Sequence, residues 1–267
     1  MTIPQAILLG ALQGLAEFLP VSSSGHLALA QHFMDLGEVP LLFDILLHLA
    51  TLCSVCLVFR SRIGALLAAF VRLVAGKSYP EDAADRSMIV ALLAGTAVTA
   101  VVGFLLKDAV EKLPLFWIAV SLAVTGVLLF ASGRYRPRDA RPVPGVPAGL
   151  AIGLAQGIGV IPGISRSGIT ITAALFAGVE RKAAGEFSFL LSIPVILGAF
   201  ILELKSADTL SGVVSAVPLA VGMAVAFAVG YLSLRFLLAL INRGKLGWFA
   251  LYLVPAGISL AIYFAVA

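Results

Sequence analysis

Apolar residues fill this chain in long runs, and its charged residues gather in the short segments between them. A helix that crosses a bilayer needs about 20 apolar residues. Six runs approach or exceed that length, at 41–59, 87–106, 115–132, 186–204, 213–241 and 246–266. An amphipathic and then polar segment, 63–86, follows the first run, and a loop from Lys107 to Pro114 separates the second from the third. The pattern predicts an all-α integral membrane protein.

Two further pairs of apolar runs are interrupted by polar residues and are too short to cross. The first pair is 3–19 and 22–34, and the second is 146–161 and 167–179. Proline at the break ends one helix, and a serine there can cap the next. Non-helical backbone at membrane depth survives only where it lines a cavity or is buried in protein. We therefore predict two re-entrant helix pairs, each followed by three spans.

The polar residues of the two breaks repeat at a fixed offset of 143 residues. Gly10, Gln13, Gly14, Ser22, Ser24 and Gly25 recur as Gly153, Gln156, Gly157, Ser165, Ser167 and Gly168. We predict a single membrane domain, 1–267, built from two repeats at about 1–133 and about 145–267. Two matched polar breaks suggest that both face the same site.

Composition and charge support a membrane protein and orient it. Hydrophobic residues make up 61% of the chain and charged residues 12%, whereas soluble domains have about 25% charged residues. The net charge of +4 comes from Lys and Arg concentrated in loops on one predicted side. The positive-inside rule accounts for that excess, so we predict no nucleic-acid partner. With three spans per half, the same rule inverts one half relative to the other, and both breaks meet near the midplane.

The residues at the breaks suit the binding of an anion. Each new helix begins with free backbone N–H groups and the positive end of its dipole. Arg166 adds a forked cationic donor that suits phosphate oxygens. The predicted anion ligands besides Arg166 are Ser22, Ser24, Gly25, Ser165, Ser167, Gly168 and, one turn later, Thr170.

Glu17 and His26 add chemistry that anion binding alone does not need. Glu17 lies one helical turn after Gln13, and a carboxylate beside an anion becomes useful as a metal ligand or a base. His26 is the natural proton-transfer group. The simpler alternative for Glu17 is a structural ion pair with Arg166. His32 and His48 have no recognisable partner, and we predict that they lie outside the site.

Both breaks resemble signatures of one family. The segment from Gln13 to His26 resembles the first signature of the undecaprenyl-diphosphate phosphatases of the bacitracin-resistance type, and that from Pro162 to Thr170 resembles the second. The resemblance extends nearly end to end. It implies hydrolysis of undecaprenyl diphosphate in the bacterial plasma (inner) membrane, helped by a divalent cation, Mg²⁺ or Ca²⁺. It also implies recycling of the lipid carrier for cell-wall synthesis, and bacitracin resistance.

The resemblance also implies a role for each matched residue. Glu17 would be the essential acid, with Gln13 as its partner facing the metal or the diphosphate. Ser23 and His26 are candidates for the nucleophile or base, and Arg166 for the phosphate clamp. Whether Ser23, His26 or a water held by Glu17 attacks stays open.

Two positions depart from the family pattern. Gln13 stands where many relatives have a second glutamate, which leaves one charge fewer for a metal. Leu253 follows Tyr252 where relatives often have arginine. If that arginine serves the site in relatives, Arg235 or Arg243 would have to replace it here.

Two other functions fit parts of the pattern. A secondary transporter or flippase for an anionic polyprenyl phosphate lipid would also use inverted repeats with broken helices, but it gains little from Glu17 beside a serine–histidine run. A type-2 phosphatidic acid phosphatase shares short fragments but needs a second histidine followed by aspartate. A homodimer is one assembly compatible with the predicted fold.

Overall fold

A computed structural model describes residues 1–34, 41–77, 79–111, 113–137, 139–206 and 215–266. Within these ranges the chain forms α-helices and no β-strand. The helices are α1 (Ile3–Phe18), α2 (Ser23–Phe33), α3 (Leu41–Val58), α4 (Arg60–Val74), α5 (Ala83–Glu111), α6 (Leu115–Arg134), α7 (Val146–Ile158), α8 (Arg166–Phe176), α9 (Arg181–Ser206), α10 (Ala216–Asn242) and α11 (Ala250–Val266). Short 3₁₀ turns precede α5 and α11.

The long helices confirm the prediction of an all-α, multi-pass membrane protein. Among the described residues, five helices are long and apolar enough to cross a membrane, and a sixth span results if α3 and α4 count as one. The chain bends by 80° between that pair. Large apolar side chains cover the outer surface, and Phe104 on α5 is 79% exposed. An outer surface of this kind is suited to lipid.

One predicted boundary is wrong. Helix α5 continues through Lys107 to Glu111, so much of the loop predicted from Lys107 to Pro114 is helical. Pro114 then caps the start of α6. The change from apolar to charged residues indicates where the chain leaves the apolar environment. It does not end the helix, because the backbone hydrogen bonds of α5 continue to Glu111. The segment between the predicted runs 186–204 and 213–241 lies mostly outside the described residues.

Glycines allow helices from the two predicted repeats to pack closely against each other. Helix α1 packs against α10, and α7 packs against α5. A Cβ atom on Gly10 would lie 2.4 Å from the Gly222 carbonyl oxygen, and one on Gly153 would lie 2.4 Å from the Gly95 carbonyl oxygen. Only glycine permits so close an approach. Because Gly10 and Gly153 share the repeat offset, the first helix of each half packs on the middle span of the other. The two repeats and their inversion across the membrane stay predictions.

The two breaks lie where the sequence predicts them, at 19–22 and 159–165. Ser22 has φ = +73°, a left-handed conformation that is uncommon for a residue with a side chain. Gly163 has φ = +90°, and a Cβ atom there would lie 2.2 Å from the Ile118 carbonyl oxygen. Such backbone needs support from its surroundings and often occurs at functional sites.

Candidate active site

The two breaks contact each other directly. The Ser22 hydroxyl oxygen accepts a hydrogen bond from the Gly163 N–H at 3.0 Å. In the other direction, the Ser167 hydroxyl donates to the Phe18 carbonyl at 3.1 Å. The polar residues of both breaks therefore meet in one place, as the duplicated pattern predicts.

Glu17 stands at the centre of this meeting point, and its side chain is 4% exposed. Its Oε2 accepts hydrogen bonds from the Ser23 hydroxyl at 2.7 Å and from the Gln13 amide at 3.1 Å. The imidazole Nδ1 of His48 lies 3.3 Å from the same oxygen. Three side chains from α1, α2 and α3 thus converge on one carboxylate oxygen.

Arg166 occupies the other oxygen of Glu17. Its Nη2 donates to Oε1, which forms an ion pair between the two halves. A buried carboxylate requires such a partner, because an unpaired charge away from water is costly. The second terminal nitrogen, Nη1, is buried and has no hydrogen-bond partner in the described part of the chain. The guanidinium therefore keeps a donor for an anion while it holds Glu17.

A cavity of about 290 Å³ opens beside this pair. One part of its wall is polar and consists of Glu17, Ser22, Ser23, Ser24, His48, Ser165 and Arg166. The other part is apolar and consists mainly of Ile45, Val160, Ile164, Val195, Ile196, Ala199 and Phe200. A ligand with a charged head and an apolar tail matches this division.

Helices α2 and α8 each begin at the cavity with a serine cap. Ser22 accepts a hydrogen bond from the Gly25 N–H, and Ser165 accepts one from the Gly168 N–H. These bonds confirm the predicted caps. The first turns of α2 and α8 also carry the N–H groups of Ser23, Ser24, Arg166 and Ser167. Such N–H groups have no acceptor within their own helix. Helix starts of this kind attract phosphate.

His26 lies differently from the sequence expectation. Its Nδ1 is 2.9 Å from the Ser22 carbonyl oxygen, and its Nε2 is 2.8 Å from the Tyr252 hydroxyl. Both ring nitrogens are therefore engaged, and His26 is absent from the described cavity wall. Its predicted role in proton transfer stays untested, but the structure presents it as the support of the Ser22 turn.

Several predicted ligands are absent from the described cavity wall. Thr170 donates to the Arg166 carbonyl at 2.7 Å and contacts the Ser188 hydroxyl at 2.5 Å. A threonine inside a helix often bonds to the preceding turn in this way. The described wall does not include five of the predicted ligands, namely Gln13, Gly25, Ser167, Gly168 and Thr170. Their predicted contacts with substrate remain predictions.

Neither arginine suggested as a replacement reaches the site. Arg235 is exposed and donates to the Tyr231 hydroxyl at 3.1 Å, and Arg243 is exposed beyond the end of α10. Neither belongs to the described cavity wall. Glu186 on α9 accepts a hydrogen bond from Arg62 at 2.7 Å and is likewise absent from the described wall. Arg166 is therefore the arginine of the described wall.

His48 is the residue that the sequence interpretation missed. We predicted that it lies outside the site, yet it contacts both Gln13 and Glu17 and lines the cavity. Its side chain is 36% exposed. The repeat offset could not reveal it, because His48 lies on α3, outside the matched segments. Only the packing of α3 beside α1 brings it to Glu17.

Comparison with known proteins assigns the chain to a family. A family model described as bacitracin resistance protein BacA matches residues 6–259. A protein named undecaprenyl-diphosphatase from Treponema denticola is 57% identical over 99% of this chain and 98% of its own length. Proteins of the same name from Desulforapulum autotrophicum and Carboxydothermus hydrogenoformans are 41% and 38% identical, each over 97% of this chain and at least 96% of its own length. The chain therefore belongs to the bacitracin resistance protein BacA family.

Proposed function

We propose that this protein hydrolyses undecaprenyl diphosphate to undecaprenyl phosphate and inorganic phosphate in the bacterial inner membrane. The reaction returns a lipid carrier to cell-wall synthesis and confers bacitracin resistance. The observation that carries the proposal is the position of Glu17. It contacts the Ser23 hydroxyl and Arg166 together, at the polar end of a cavity whose far wall is apolar. Relatives that match this chain over nearly their whole length are named undecaprenyl-diphosphatase, and this name supports the substrate.

The site matches what phosphoryl transfer requires, which is chiefly positioning and charge stabilisation. The diphosphate headgroup lies against Arg166 and the first turns of α2 and α8. The Ser23 oxygen attacks the terminal phosphorus while its proton moves to the Glu17 carboxylate, and the bond to the bridging oxygen breaks. Undecaprenyl phosphate leaves with that bond's electron pair. Water then attacks the phosphoserine and releases inorganic phosphate.

The polyprenyl tail occupies the apolar part of the wall. Ile45 from α3 and the segment Val195–Phe200 of α9 supply this surface. Because α3 also supplies His48 to the polar part, the tail can remain in an apolar environment while its headgroup reaches Arg166. This arrangement favours a lipid diphosphate over a small soluble anion.

A divalent cation suits the groups that meet here, because the Gln13 amide lies against the Glu17 carboxylate. Gln13 Oε1 is buried and has no hydrogen-bond partner among the described residues, and Glu17 supplies the carboxylate. One or two carboxylates together with substrate phosphates are a common way to hold Mg²⁺. Bound there, a cation would neutralise charge on the diphosphate oxygens. Cation dependence is part of the proposal.

A flippase for an anionic polyprenyl lipid is the second candidate. It would use Arg166 and the two helix starts, but it has no need of a hydroxyl aligned on a carboxylate at 2.7 Å. The Ser23–Glu17 contact therefore favours hydrolysis.

Phosphate release by purified protein in detergent tests the proposal. We expect release from undecaprenyl diphosphate with Mg²⁺ or Ca²⁺, and none with a chelator. Ser23→Ala should lower the rate at least about 1,000-fold, and a phosphoserine should be trapped after rapid acid quench. A Ser23→Ala variant that stays active would indicate a water nucleophile. Folded wild-type protein that releases no phosphate with any cation would contradict hydrolysis and lead to a lipid-transport assay in vesicles.

A further inference from the structure

The side chains of Gln13, Glu17 and His48 form a triangle with one feature that hydrolysis by Ser23 leaves unexplained. The Gln13 amide nitrogen lies 2.9 Å from His48 Nδ1 and 3.1 Å from Glu17 Oε2, and Nδ1 lies 3.3 Å from that oxygen. Hydrogen bonding accounts for the amide nitrogen. It does not account for Gln13 Oε1, which is buried without a partner among the described residues.

The size of the triangle matches a metal site. Two neighbouring ligands of an octahedral ion, each about 2.1 Å from the metal, lie about 3 Å apart. The three observed separations fall close to that value. Three ligands on one face of an octahedron leave the opposite positions open for substrate oxygens or water.

The ligand atoms fit once the Gln13 amide is turned. The oxygen and nitrogen of a glutamine amide exchange places by rotation about one bond, and their assignment follows from their surroundings. In the structure, the nitrogen faces the Glu17 carboxylate and His48. With a cation between the three groups, the oxygen turns inward and the unpartnered atom gains a partner.

We propose that His48 is the third protein ligand of the divalent cation, with Glu17 Oε2 and the Gln13 carboxamide oxygen as the other two. The proposal rests on the cation-dependent hydrolysis proposed above, because it describes the cation of that reaction. His48 supplies a nitrogen ligand beside Gln13, which contributes no charge to the site.

The surrounding charges are compatible with this site. Arg166 contacts Glu17 at Oε1, which leaves Oε2 as the oxygen that faces Gln13 and His48. Asp44 lies one turn before His48 on α3, and its Oδ1 is buried with no partner in the described part of the chain. A carboxylate on the same helix face adds negative potential near the cation.

The nitrogen ligand gives the site a preference among metals. Mg²⁺ and Ca²⁺ favour oxygen ligands, whereas imidazole suits first-row transition metals. We therefore expect Mn²⁺ to bind on the order of 10-fold or more tightly than Ca²⁺. His48→Gln should remove much of that preference, because the variant offers an oxygen in place of the ring nitrogen.

Electron spin echo spectroscopy of Mn²⁺ bound to the purified, substrate-free protein tests the ligand directly. A coordinated imidazole modulates the echo through its ¹⁴N nucleus, and ¹⁵N-histidine labelling should change that pattern. The chain has only three histidines, so single variants assign the signal. His48→Gln and His48→Ala should abolish it, whereas His26→Gln and His32→Gln should retain it. His26 is a stringent control because it lies in the same signature as Gln13 and Glu17.

Each outcome decides the proposal. Loss of the nitrogen signal in both His48 variants, with a Mn²⁺ dissociation constant raised on the order of 10-fold or more, supports it. A signal that persists in the His48 variants overturns it, and so does bound Mn²⁺ that shows no nitrogen coupling or no Mn²⁺ binding at all. Hydrolysis is measured separately. Protein that binds Mn²⁺ through His48 but releases no phosphate would retain the metal site and contradict the reaction.

Discussion

The breaks at 19–22 and 159–165 have the same backbone construction but contribute different chemistry. In each, a serine caps the second helix by accepting a hydrogen bond from a glycine N–H three residues on. Ser23 and Arg166 then occupy matched positions at the repeat offset, and both contact Glu17, one at each carboxylate oxygen. The duplicated scaffold therefore directs two different side chains at one group.

The matched glutamines show the same divergence. Gln13 bonds to Glu17 and His48 beside the cavity. Gln156 instead donates to the Thr99 hydroxyl at 3.3 Å and to the Leu191 carbonyl at 3.4 Å, away from the cavity. Identical residues at the repeat offset thus contact the candidate site in one half and pack between helices in the other. The comparison teaches that the repeat reports a shared backbone, whereas the contacts of each side chain depend on the helices packed around it.

Glu17→Gln should have the largest effect, because position 17 has a carboxylate in the first copy and Val160 in the second. The variant keeps the side-chain shape but removes the charge that pairs with Arg166 and the acceptor of the Ser23 proton. We expect kcat for phosphate release to fall about 1,000-fold or more. Val160→Ala, which changes the matched position in the same cavity wall, should change kcat less than about threefold. Equal effects at the two positions would contradict the division of roles.

Arg166→Lys should have the next largest effect. Lysine keeps the positive charge but loses the fork that contacts Glu17 with one nitrogen and leaves another for phosphate. We expect kcat/KM for undecaprenyl diphosphate to fall about 30- to 100-fold. Steady-state phosphate release gives the ratio, and size-exclusion chromatography in detergent verifies folding. A lysine variant with wild-type kcat/KM would show that charge alone is enough and that the forked geometry is not used.

Much of this arrangement was predictable because local chemistry sets it. Proline at position 20 ends α1, and Ser22 and Ser165 supply caps that depend only on neighbouring residues. The offset between the copies then indicated that both breaks face one site. The ion pair between Glu17 and Arg166 appeared only as the simpler alternative, since sequence cannot show whether two side chains at one site touch.

The remainder depends on tertiary packing, which the sequence pattern does not specify. His48 reaches Glu17 only because α3 lies beside α1. His26 is two residues from Ser24 yet turns to Tyr252, which lies far away in the chain. Thr170 lies one turn after Arg166, as predicted, but its hydroxyl bonds to the helix backbone. Spacing along a helix selects a face, and neighbouring helices decide what that face meets.

Ala199→Phe should test the apolar part of the wall, with a smaller effect than either charged position. A phenyl ring here would fill space that we assign to the polyprenyl tail. We expect KM for undecaprenyl diphosphate to rise about 10-fold with kcat within about threefold, since the polar end is unchanged. Farnesyl diphosphate, whose tail is much shorter, should be affected less. Leu251→Phe on the outer face of α11, where Leu251 is 77% exposed, is the matched control. A uniform rise for both substrates would place the tail elsewhere.

The two capping serines give the finest test of the comparison, and it is a test of stability. Ser165→Ala removes the cap of α8, which costs about 1 kcal/mol. Ser22→Ala removes the cap of α2 and also the acceptor for Gly163 N–H, the bond that ties one break to the other. The loss should therefore be about 2 kcal/mol. In parallel thermal unfolding in the same detergent, the midpoint of Ser22→Ala should fall about twice as far as that of Ser165→Ala. Equal shifts would mean that the bond between the breaks adds nothing beyond the two caps, so that the ion pair and the Ser167 contact would have to hold the breaks together.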